Sequence, residues 1–408
     1  MRSVGLLTAS TALIAATYGL VRLAYGLFLP DVQAELLFDA AVAGFISSGA
    51  SIVYCLGAVL GFFVASRRPR LLVLLAGLSA GLGAAGMASS EDTGIFAIFA
   101  VLSSAGAGLA SPALVTLIRR NVVAADNDRS QTIVNAGTGP GLAAAGIVAL
   151  VLLPDWRLAW FLVAAATLAI AAVVLVLDRQ RAQHPDPAGE VHPVGIPSGS
   201  WLASHRQIIA AAFFMGAGSA AVWNYGRTLL VEGGADERAS IAAWIALGIG
   251  GTVAIGTARP MSALEPRTAW TMTTLAIAAA SIALALAPGS TGAALAACAV
   301  FGWGYTSGTG ALITWTTRID GARASAGTSL LFLILVFGQA FGASAVGLLI
   351  SQAGLVVAFL AASALVLLAT ATPLLWKKHQ SELIRPTHDF GGAADTQCRF
   401  THASTRRG

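Results

Sequence analysis

Two arginines are the residues with the clearest chemistry in this chain, because each interrupts a long apolar run. Arg22 lies in the run 4–30 and Arg227 in the run 205–231. Placing an arginine in a membrane helix costs about 2.5–3.5 kcal/mol on insertion scales. None of the 19 acidic residues lies in the middle of an apolar run to offset this cost. A guanidinium binds carboxylate or phosphate groups bidentately, so the two arginines predict a site for a small organic anion.

Each arginine also has a simpler interpretation. Arg227 lies toward the outer end of its run, where a long side chain can extend to the membrane interface. Either arginine can also bind backbone carbonyls or pair with an acid near the outer helix ends, such as Asp31 or Glu232. In these arrangements the arginines need no ligand.

Aromatic and amide side chains accompany the arginines. Tyr18, Arg22 and Tyr25 follow i, i+4, i+7 spacing, which places them on one stripe of a helix. Aromatic rings beside a cation form cavity walls, but they are equally common in membrane-interface belts. Amides in membrane helices also join neighbouring helices. The candidate cavity residues are Tyr18, Arg22, Tyr25, Asn135, Trp223, Asn224, Arg227, Trp303, Tyr305 and Gln339.

The sequence lacks the signals of an enzyme. It has no Gly-Lys-Ser/Thr loop that would hold nucleotide phosphates. Its three cysteines have no metal-ligand spacing, and the six histidines lie in polar segments or at a helix boundary. We therefore expect no catalytic residue, no metal, no cofactor and no nucleic-acid partner.

The composition of the chain indicates a membrane protein. Of the 408 residues, 56% are hydrophobic and 11% charged, and the mean hydropathy is +0.77, whereas a soluble domain carries about 25% charged residues. A membrane-spanning helix needs about 20 apolar residues, and runs of this length predict an all-α fold of twelve transmembrane helices in the lipid bilayer. The predicted helices lie near 4–30, 40–66, 70–89, 93–118, 130–153, 155–178, 205–231, 238–258, 267–287, 291–317, 324–351 and 353–376.

The basic residues predict the orientation of these helices. With both termini in the cytoplasm, twenty of the 24 lysines and arginines fall on the cytoplasmic side, two outside, and two within helices. Such a split follows the positive-inside rule. The prediction is a multi-pass protein of a bacterial inner membrane, with acids such as Asp31, Glu35 and Asp39 in the external connections.

The chain divides into two halves of similar pattern. A polar segment with four prolines, 179–204, separates a predicted six-helix bundle, 1–178, from a second, 205–376, and residues 377–408 read as a disordered cytoplasmic tail. Three glycines of the fifth helix recur in the eleventh at a constant offset of 201 residues, which favours an internal duplication. The glycine pairs are Gly137 and Gly338, Gly141 and Gly342, and Gly146 and Gly347.

Three motifs resemble those of the major facilitator superfamily, over about residues 4–376. The stretch from Gly61 to Arg70 resembles its cytoplasmic latch motif after helix 2, although the acid of that motif is replaced by Ala65 and Ser66. Gly137-Thr-Gly139-Pro140-Gly141 resembles the Gly-Pro signature of exporting members, and Tyr18-Gly19-x-x-Arg22-x-x-Tyr25-Gly26 resembles the first helix of a poorly characterised bacterial branch. The residues expected to serve gating or helix packing are Gly61, Arg67, Arg68, Arg70, Gly137, Gly139, Pro140, Gly141, Gly338 and Gly342.

The resemblance implies a monomeric secondary transporter in which two six-helix bundles rock around a central site. Phosphate-exchanging members of the superfamily also have one arginine on helix 1 and one on helix 7, the helices of Arg22 and Arg227. The leading hypothesis is transport of a small organic anion by facilitated diffusion or anion exchange, since the apolar runs contain no carboxylate or histidine to couple protons. Asp31, near the outer end of helix 1, is the one acid that could still do so. The alternatives are an exporter of drugs or hydrophobic metabolites and, in a different class, a membrane sensor or scaffold that transports nothing.

Overall fold

A computed structural model describes residues 2–121, 127–178 and 198–383, and every regular element in these ranges is a helix. Helices satisfy their own backbone hydrogen bonds, which a segment in lipid requires. The predicted all-α class is therefore confirmed. The described residues up to Pro373 form one compact unit, and residues 374–383 belong to the last helix, which ends at Leu383.

The long helices, numbered in chain order, fall before and after the segment 179–197, and we call these two groups the first and second halves. The first half contains α1 (Val4–Leu36), α2 (Ala40–Val64), α3 (Pro69–Ala88), α4 (Thr93–Asn121), α5 (Ile133–Leu152) and α6 (Trp156–Leu177). The second half contains α7 (Gly199–Glu232), α8 (Glu237–Ala263), α9 (Pro266–Leu286), α10 (Thr291–Ile319), α11 (Gly321–Ala353) and α12 (Leu355–Leu383).

Within the described ranges, eleven helices are long and apolar enough to cross a membrane. The helix outside this set is α10, which has 29 residues. Its stretch from Gly302 to Thr317 is rich in glycine, threonine and tryptophan, and these residues lower its hydropathy.

Several helix ends differ from their predicted positions. Helix α1 continues to Leu36, so Asp31 and Glu35 lie in a helix and not in a connection. Helix α7 begins at Gly199, inside the predicted linker 179–204, because the Ser198 hydroxyl caps it by accepting a hydrogen bond from the Trp201 amide at 3.3 Å. Capping depends on local geometry that hydropathy does not register.

The predicted linker and the predicted tail lie mostly outside the residues that the structure describes. Helix α12 reaches Leu383, past residue 377, where the predicted tail begins. Linker residues 179–197 and tail residues 384–408 lie outside the described residues.

Side-chain contacts bring the helix connections together at two ends of the molecule. At one, which we call the Asp31 end, Trp156 donates to Glu35 at 2.6 Å, and Arg157 donates to the Ala88 carbonyl at 2.8 Å. At the other, which we call the Arg68 end, Arg70 donates to the Asp178 carbonyl at 3.0 Å. Connections of odd to even helices therefore lie at the Asp31 end, and those of even to odd helices at the Arg68 end.

The most extensive contacts between the two halves are those of three helix pairs, α1 with α7, α2 with α11, and α5 with α8. Glycine allows each close approach, because an added Cβ would overlap a backbone atom of the opposite half. The glycines concerned are Gly26 against Trp223, Gly44 against Ala343, and Gly139 against Thr252.

The buried apolar residues form two clusters, one with residues of both halves and one with residues of a single half. The larger one contains residues of both halves, such as Phe28 of α1 and Phe301 of α10. The smaller one, around Leu13, Leu72 and Leu117, has members from the first half alone and lies toward the Arg68 end. The larger cluster also reaches the Arg68 end within the second half, at Trp270 and Trp315.

Candidate functional site

Arg22 lies in a segment of α1 that is wound as a π-helix, Ala15–Leu23. A π-helix forms i→i+5 hydrogen bonds, is rare, and occurs frequently at functional sites. Glycines flank Arg22 on both sides: a Cβ at Gly19 would overlap the backbone of α5, and one at Gly26 would overlap the Trp223 carbonyl of α7. This packing holds Arg22 where the two halves meet.

The Arg22 guanidinium has neutral partners from both halves. Its Nη2 donates to Gln339 Oε1 at 3.1 Å and, more weakly, to Ser51 Oγ at 3.4 Å. Its Cζ lies 4.6 Å from the centre of the Tyr54 ring, within the range of a cation–π contact. Among the described residues, no carboxylate lies within ion-pair distance of Arg22.

Gln339 connects Arg22 to a group of aromatic rings in the second half. Its Nε2 donates to the Tyr305 hydroxyl at 2.9 Å. The Tyr305 ring meets the Trp223 ring edge to face, with centroids 5.1 Å apart, and Trp223 meets Phe301 at 5.4 Å. Gln339 thus forms hydrogen bonds on both sides, to a cation of the first half and to a phenol of the second.

The two predicted tyrosines of α1 both contact α2. The Tyr18 and Tyr54 hydroxyls are 2.7 Å apart, and the Tyr25 hydroxyl donates to the Ala43 carbonyl at 3.1 Å. Tyr18 therefore contacts Tyr54, the residue whose ring faces Arg22. Tyr25 lies nearer the Asp31 end.

A small cavity of about 40 Å³ lies beside Arg22, with room for only a few water molecules. Arg22 is the one charged residue among those that line it. Five of the ten predicted cavity residues are in its wall. The lining residues are Val21, Arg22, Leu23, Tyr25, Ile46, Ser47, Ala50, Ser51, Met87, Ala100, Ser103, Ser104, Ala220, Trp223, Asn224 and Gln339.

Three buried donors among these lining residues have no acceptor from the protein: Arg22 Nε, Trp223 Nε1 and Ser104 Oγ. A buried donor without an acceptor costs about 1–3 kcal/mol. Asn224 differs, because its Oδ1 accepts from Ser47 Oγ at 2.6 Å and its Nδ2 donates to the Ala220 carbonyl at 2.8 Å. The residues that line the cavity therefore carry three donors that a ligand with acceptor atoms could satisfy.

Arg227 has a different environment from the one predicted. Its side chain is 2% exposed and forms an ion pair with Asp31 across the halves. It also donates to the Leu27 carbonyl at 2.8 Å and to Ser240 Oγ at 3.2 Å, and Glu237 lies 3.8 Å away. The expectation of an uncompensated Arg227 is wrong, because α1 extends far enough to bring Asp31 beside α7. Of the simpler interpretations, pairing with Asp31 and binding of a backbone carbonyl are both observed.

Two other predicted cavity residues lie away from Arg22. Trp303 donates through its indole to Thr257 Oγ1 of α8 at 2.9 Å. Asn135 is exposed and ends the helical stretch Asn127–Asn135, before the next stretch begins at Thr138. Neither residue is in the wall of the cavity.

The predicted packing glycines each lie against another helix, and an added Cβ would overlap that neighbour. Gly139 contacts the opposite half, and the others contact helices of their own half. Pro140 is exposed. This geometry suits close helix packing, whereas a role in rocking stays a prediction. The neighbours are Pro112 at Gly61, Thr11 at Gly137, Thr252 at Gly139, Ala15 at Gly141, Phe213 at Gly338 and Ala217 at Gly342.

The basic residues of the predicted latch divide into two kinds. Arg67 and Arg68 are exposed. Arg70 forms a hydrogen bond and an ion pair with Asp178, at the end of α6, with Nη1 to Oδ2 at 3.4 Å. The acid missing from position 65 is thus replaced by one that the chain supplies 108 residues after Arg70.

Asp178 is the centre of a charged cluster that the sequence analysis missed. Its side chain is fully buried, and it also forms an ion pair with Arg120 and accepts from Asn121 Nδ2 at 2.7 Å. The cluster ties the ends of α3, α4 and α6 together at the Arg68 end. The sequence carries one signal of this cluster, because Asp178 is an acid that directly follows an apolar run, at the end of the helices where arginines are concentrated.

The side chains that α2 contributes to the site were also not predicted from the sequence. Ser47, Ser51 and Tyr54 follow i, i+4, i+7 spacing on α2, the spacing that was noted for Tyr18, Arg22 and Tyr25. The same periodicity would have identified both stripes.

Comparison with known proteins identifies the family. A sequence description of the Major Facilitator Superfamily matches residues 11–330. The chain belongs to this superfamily. No curated protein sequence matches it significantly. Members of the Major Facilitator Superfamily are transporters, so the prediction of a superfamily transporter that is not an enzyme is confirmed.

Solved structures of superfamily transporters share the fold. The nucleoside transporter NupG has a TM-score of 0.76 at 16% identity, covering 92% of this chain and 99% of its own. A bacterial homolog of the human lysosomal transporter Spinster, in an inward-facing and unoccupied conformation, has a TM-score of 0.71 at 14% identity, covering 93% and 97%. A D-xylose–proton symporter has a TM-score of 0.70 at 14% identity, covering 92% and 97%.

Proposed function

We propose that this superfamily member is a secondary transporter that moves a small organic anion across the bacterial inner membrane, with Arg22 as the group that binds the anion. The observation that carries the proposal is the environment of Arg22. It is a guanidinium where the halves meet, and its partners Gln339, Ser51 and Tyr54 are all neutral.

The energetics of this environment favour an anionic ligand. An arginine in a membrane helix costs about 2.5–3.5 kcal/mol, and the hydrogen bonds of Arg22 to the neutral Gln339 and Ser51 leave its positive charge without a counter-charge. A hydrogen bond to a charged group contributes about 1.5–3 kcal/mol. A carboxylate that accepts from Arg22 Nε and Nη2 would therefore gain more than the neutral partners do.

The same proposal assigns the topology. Helix α10 is the twelfth membrane span, and the halves are two six-helix bundles, 1–178 and 205–376, joined by a linker. The cross-half pairs support a duplication, since a shift of six helices turns the pair α2–α11 into α8–α5. The distribution of arginines supports the orientation, with the Asp31 end outside, the Arg68 end in the cytoplasm, and both termini cytoplasmic.

Alternating access follows from how the halves are joined. The Arg227–Asp31 pair holds them together at the Asp31 end, whereas toward the Arg68 end the cluster around Leu13, Leu72 and Leu117 contains residues of the first half alone. Opening of the Asp31 end requires separation of Arg227 from Asp31. The protein works as a monomer, by facilitated diffusion or anion exchange, since no carboxylate of the described residues lies beside Arg22 to carry a proton.

The exporter alternative draws support from the largely apolar cavity wall, with residues such as Ile46, Met87 and Trp223. Under that alternative Arg22 is structural, and neutral or cationic compounds are the substrates. A sensor or scaffold would bind a ligand without moving it.

A ligand screen followed by flux measurements separates these possibilities. The purified full chain is screened by thermal shift against anionic metabolites, amino acids and drugs, and compounds that stabilise it are tested for flux in proteoliposomes. We expect stabilisation and flux only with anions, abolished by Arg22→Ala and impaired by Arg22→Lys, which cannot bind bidentately. The matched control is Arg238→Ala, at an exposed arginine, which leaves both unchanged. Stabilisation by cations alone would refute the anion proposal, and stabilisation without flux would support a sensor.

A further inference from the structure

The Gln339 carboxamide occupies the position on Arg22 that a carboxylate would prefer. Its Oε1 accepts from Arg22 Nη2 at 3.1 Å, and the residue is 6% exposed. A carboxamide and a carboxylate are both planar and similar in size, but a guanidinium binds the charged group more strongly. The geometry points to a site for a single carboxylate on an apolar body, whose place on Arg22 is held here by Gln339. This inference rests on the proposed function, because it assigns the substrate class of the same site.

The unpaired donors around the cavity indicate where the oxygens of the carboxylate would bind. Arg22 Nε, Trp223 Nε1 and Ser104 Oγ are buried and lack a protein acceptor. They belong to α1, α7 and α4, so they surround the cavity from both halves. A carboxylate has two oxygens and about four lone-pair sites, enough for Arg22 and for a second donor at the opposite wall.

The single positive charge of the cavity wall limits the ligand to one negative charge. Arg22 is the one charged side chain in the cavity wall, and Arg227 is already paired with Asp31. A second carboxylate or a doubly ionised phosphate would enter the site without a cation to compensate it, which is costly in a buried environment.

The rest of the wall is suited to an apolar body. Apolar lining with a few convergent polar groups is typical of sites that bind small molecules with a hydrophobic part. The apolar residues that line the cavity include Val21, Leu23, Ile46, Ala50, Met87 and Ala100.

Gln339 is therefore a competitor of the substrate and not one of its ligands. Its Nε2 bond to the Tyr305 hydroxyl gives the side chain a second partner that it keeps when a carboxylate takes Arg22. The exchange breaks a hydrogen bond between the halves, since Arg22 belongs to α1 and Gln339 to α11. Substrate binding thereby removes one of the contacts that resist separation of the halves.

Gln339 variants test this competition directly, with benzoate as the probe. The apparent Kd is measured from thermal unfolding of the purified full chain against benzoate concentration. Gln339→Ala removes the competitor, and we expect the Kd to fall at least about tenfold, the equivalent of one hydrogen bond to a charged group. Gln339→Glu supplies an internal carboxylate, so we expect a higher unfolding temperature without benzoate and no response to benzoate. Gln352→Glu, an exposed position on the same helix, is the matched control and leaves the Kd unchanged.

Two further probes separate this inference from the proposed function. Benzamide, the neutral analogue, and phthalate, a dianion, should both fail to stabilise the wild type. Weaker benzoate binding in Gln339→Ala, or a benzoate response that survives in Gln339→Glu, would overturn the competitor role. Stabilisation by phthalate or inorganic phosphate that disappears in Arg22→Ala would overturn the single-carboxylate site but leave anion transport standing. If no anion stabilises the wild type, both proposals fail.

Discussion

Replacement of Asp31 by asparagine tests how the Asp31 end is held closed. The Arg227 side chain is 2% exposed and that of Asp31 15%, so Asp31→Asn leaves a buried guanidinium without its counter-charge. Removal of one partner of a buried ion pair costs about 3–5 kcal/mol. Arg227 keeps the Leu27 carbonyl and Ser240 as acceptors, and Glu237 at 3.8 Å. We therefore expect a loss near the lower limit, about 3 kcal/mol.

The matched control is Glu35→Gln at the same end. Glu35 pairs with Arg157, but these side chains are 48% and 29% exposed. An exposed pair contributes at most about 1 kcal/mol, reduced further by solvent screening. The assay is unfolding of the purified protein in detergent, by heat and by denaturant. The double variant Asp31→Asn with Arg227→Gln removes the buried charge and should recover part of the loss. Equal losses in the two single variants, or a larger loss in the double variant, would refute the reasoning.

Three further substitutions test other parts of the structure. Gly141→Ala should lower the unfolding temperature and the flux, because its Cβ would overlap the backbone of α1, whereas Gly256→Ala, with nothing within 4 Å, should stabilise α8 by up to about 1 kcal/mol. A loss in both would contradict the packing argument. Asp178→Asn should destabilise by about 3–5 kcal/mol, since two arginines lose a buried partner, and exposed Glu265→Gln should change nothing measurable in the same unfolding assay. Trp223→Phe should weaken anion binding in the thermal-shift titration without loss of stability, because it removes a buried donor that has no protein acceptor; a strong loss of stability would show that the indole nitrogen has a structural partner.

The positions of the helices were predictable because lipid imposes a simple requirement. Each span needs a long apolar run, and the predicted starts of α2, α4 and α12 lie within two residues of the observed ones. Helix ends were less predictable, since polar residues can continue a helix beyond the apolar run. The last two turns of α1, which contain Asp31, are the clearest case.

The site was predictable only in part, for a related reason. A charge in an apolar run is visible in sequence, which identified Arg22 and Arg227. Their partners are not visible, because Gln339 is 317 residues from Arg22 and Asp31 is 196 residues from Arg227. Such pairings are set by how the two halves pack against each other. Only the structure separates the arginine with a carboxylate partner from the one without.

The most direct test of the account is the electrical response of reconstituted protein to an anion. Proteoliposomes on a solid-supported membrane are exposed to a rapid benzoate concentration jump, and the transient current is recorded for the wild type, Arg22→Gln and Arg238→Gln. If Arg22 binds the anion, the wild type and Arg238→Gln give a saturable transient current whose sign corresponds to negative charge that enters the protein, either in facilitated diffusion or in the anion-binding step of an exchange cycle, and Arg22→Gln gives none. An unchanged current in Arg22→Gln would contradict the assignment of Arg22 as the anion-binding group.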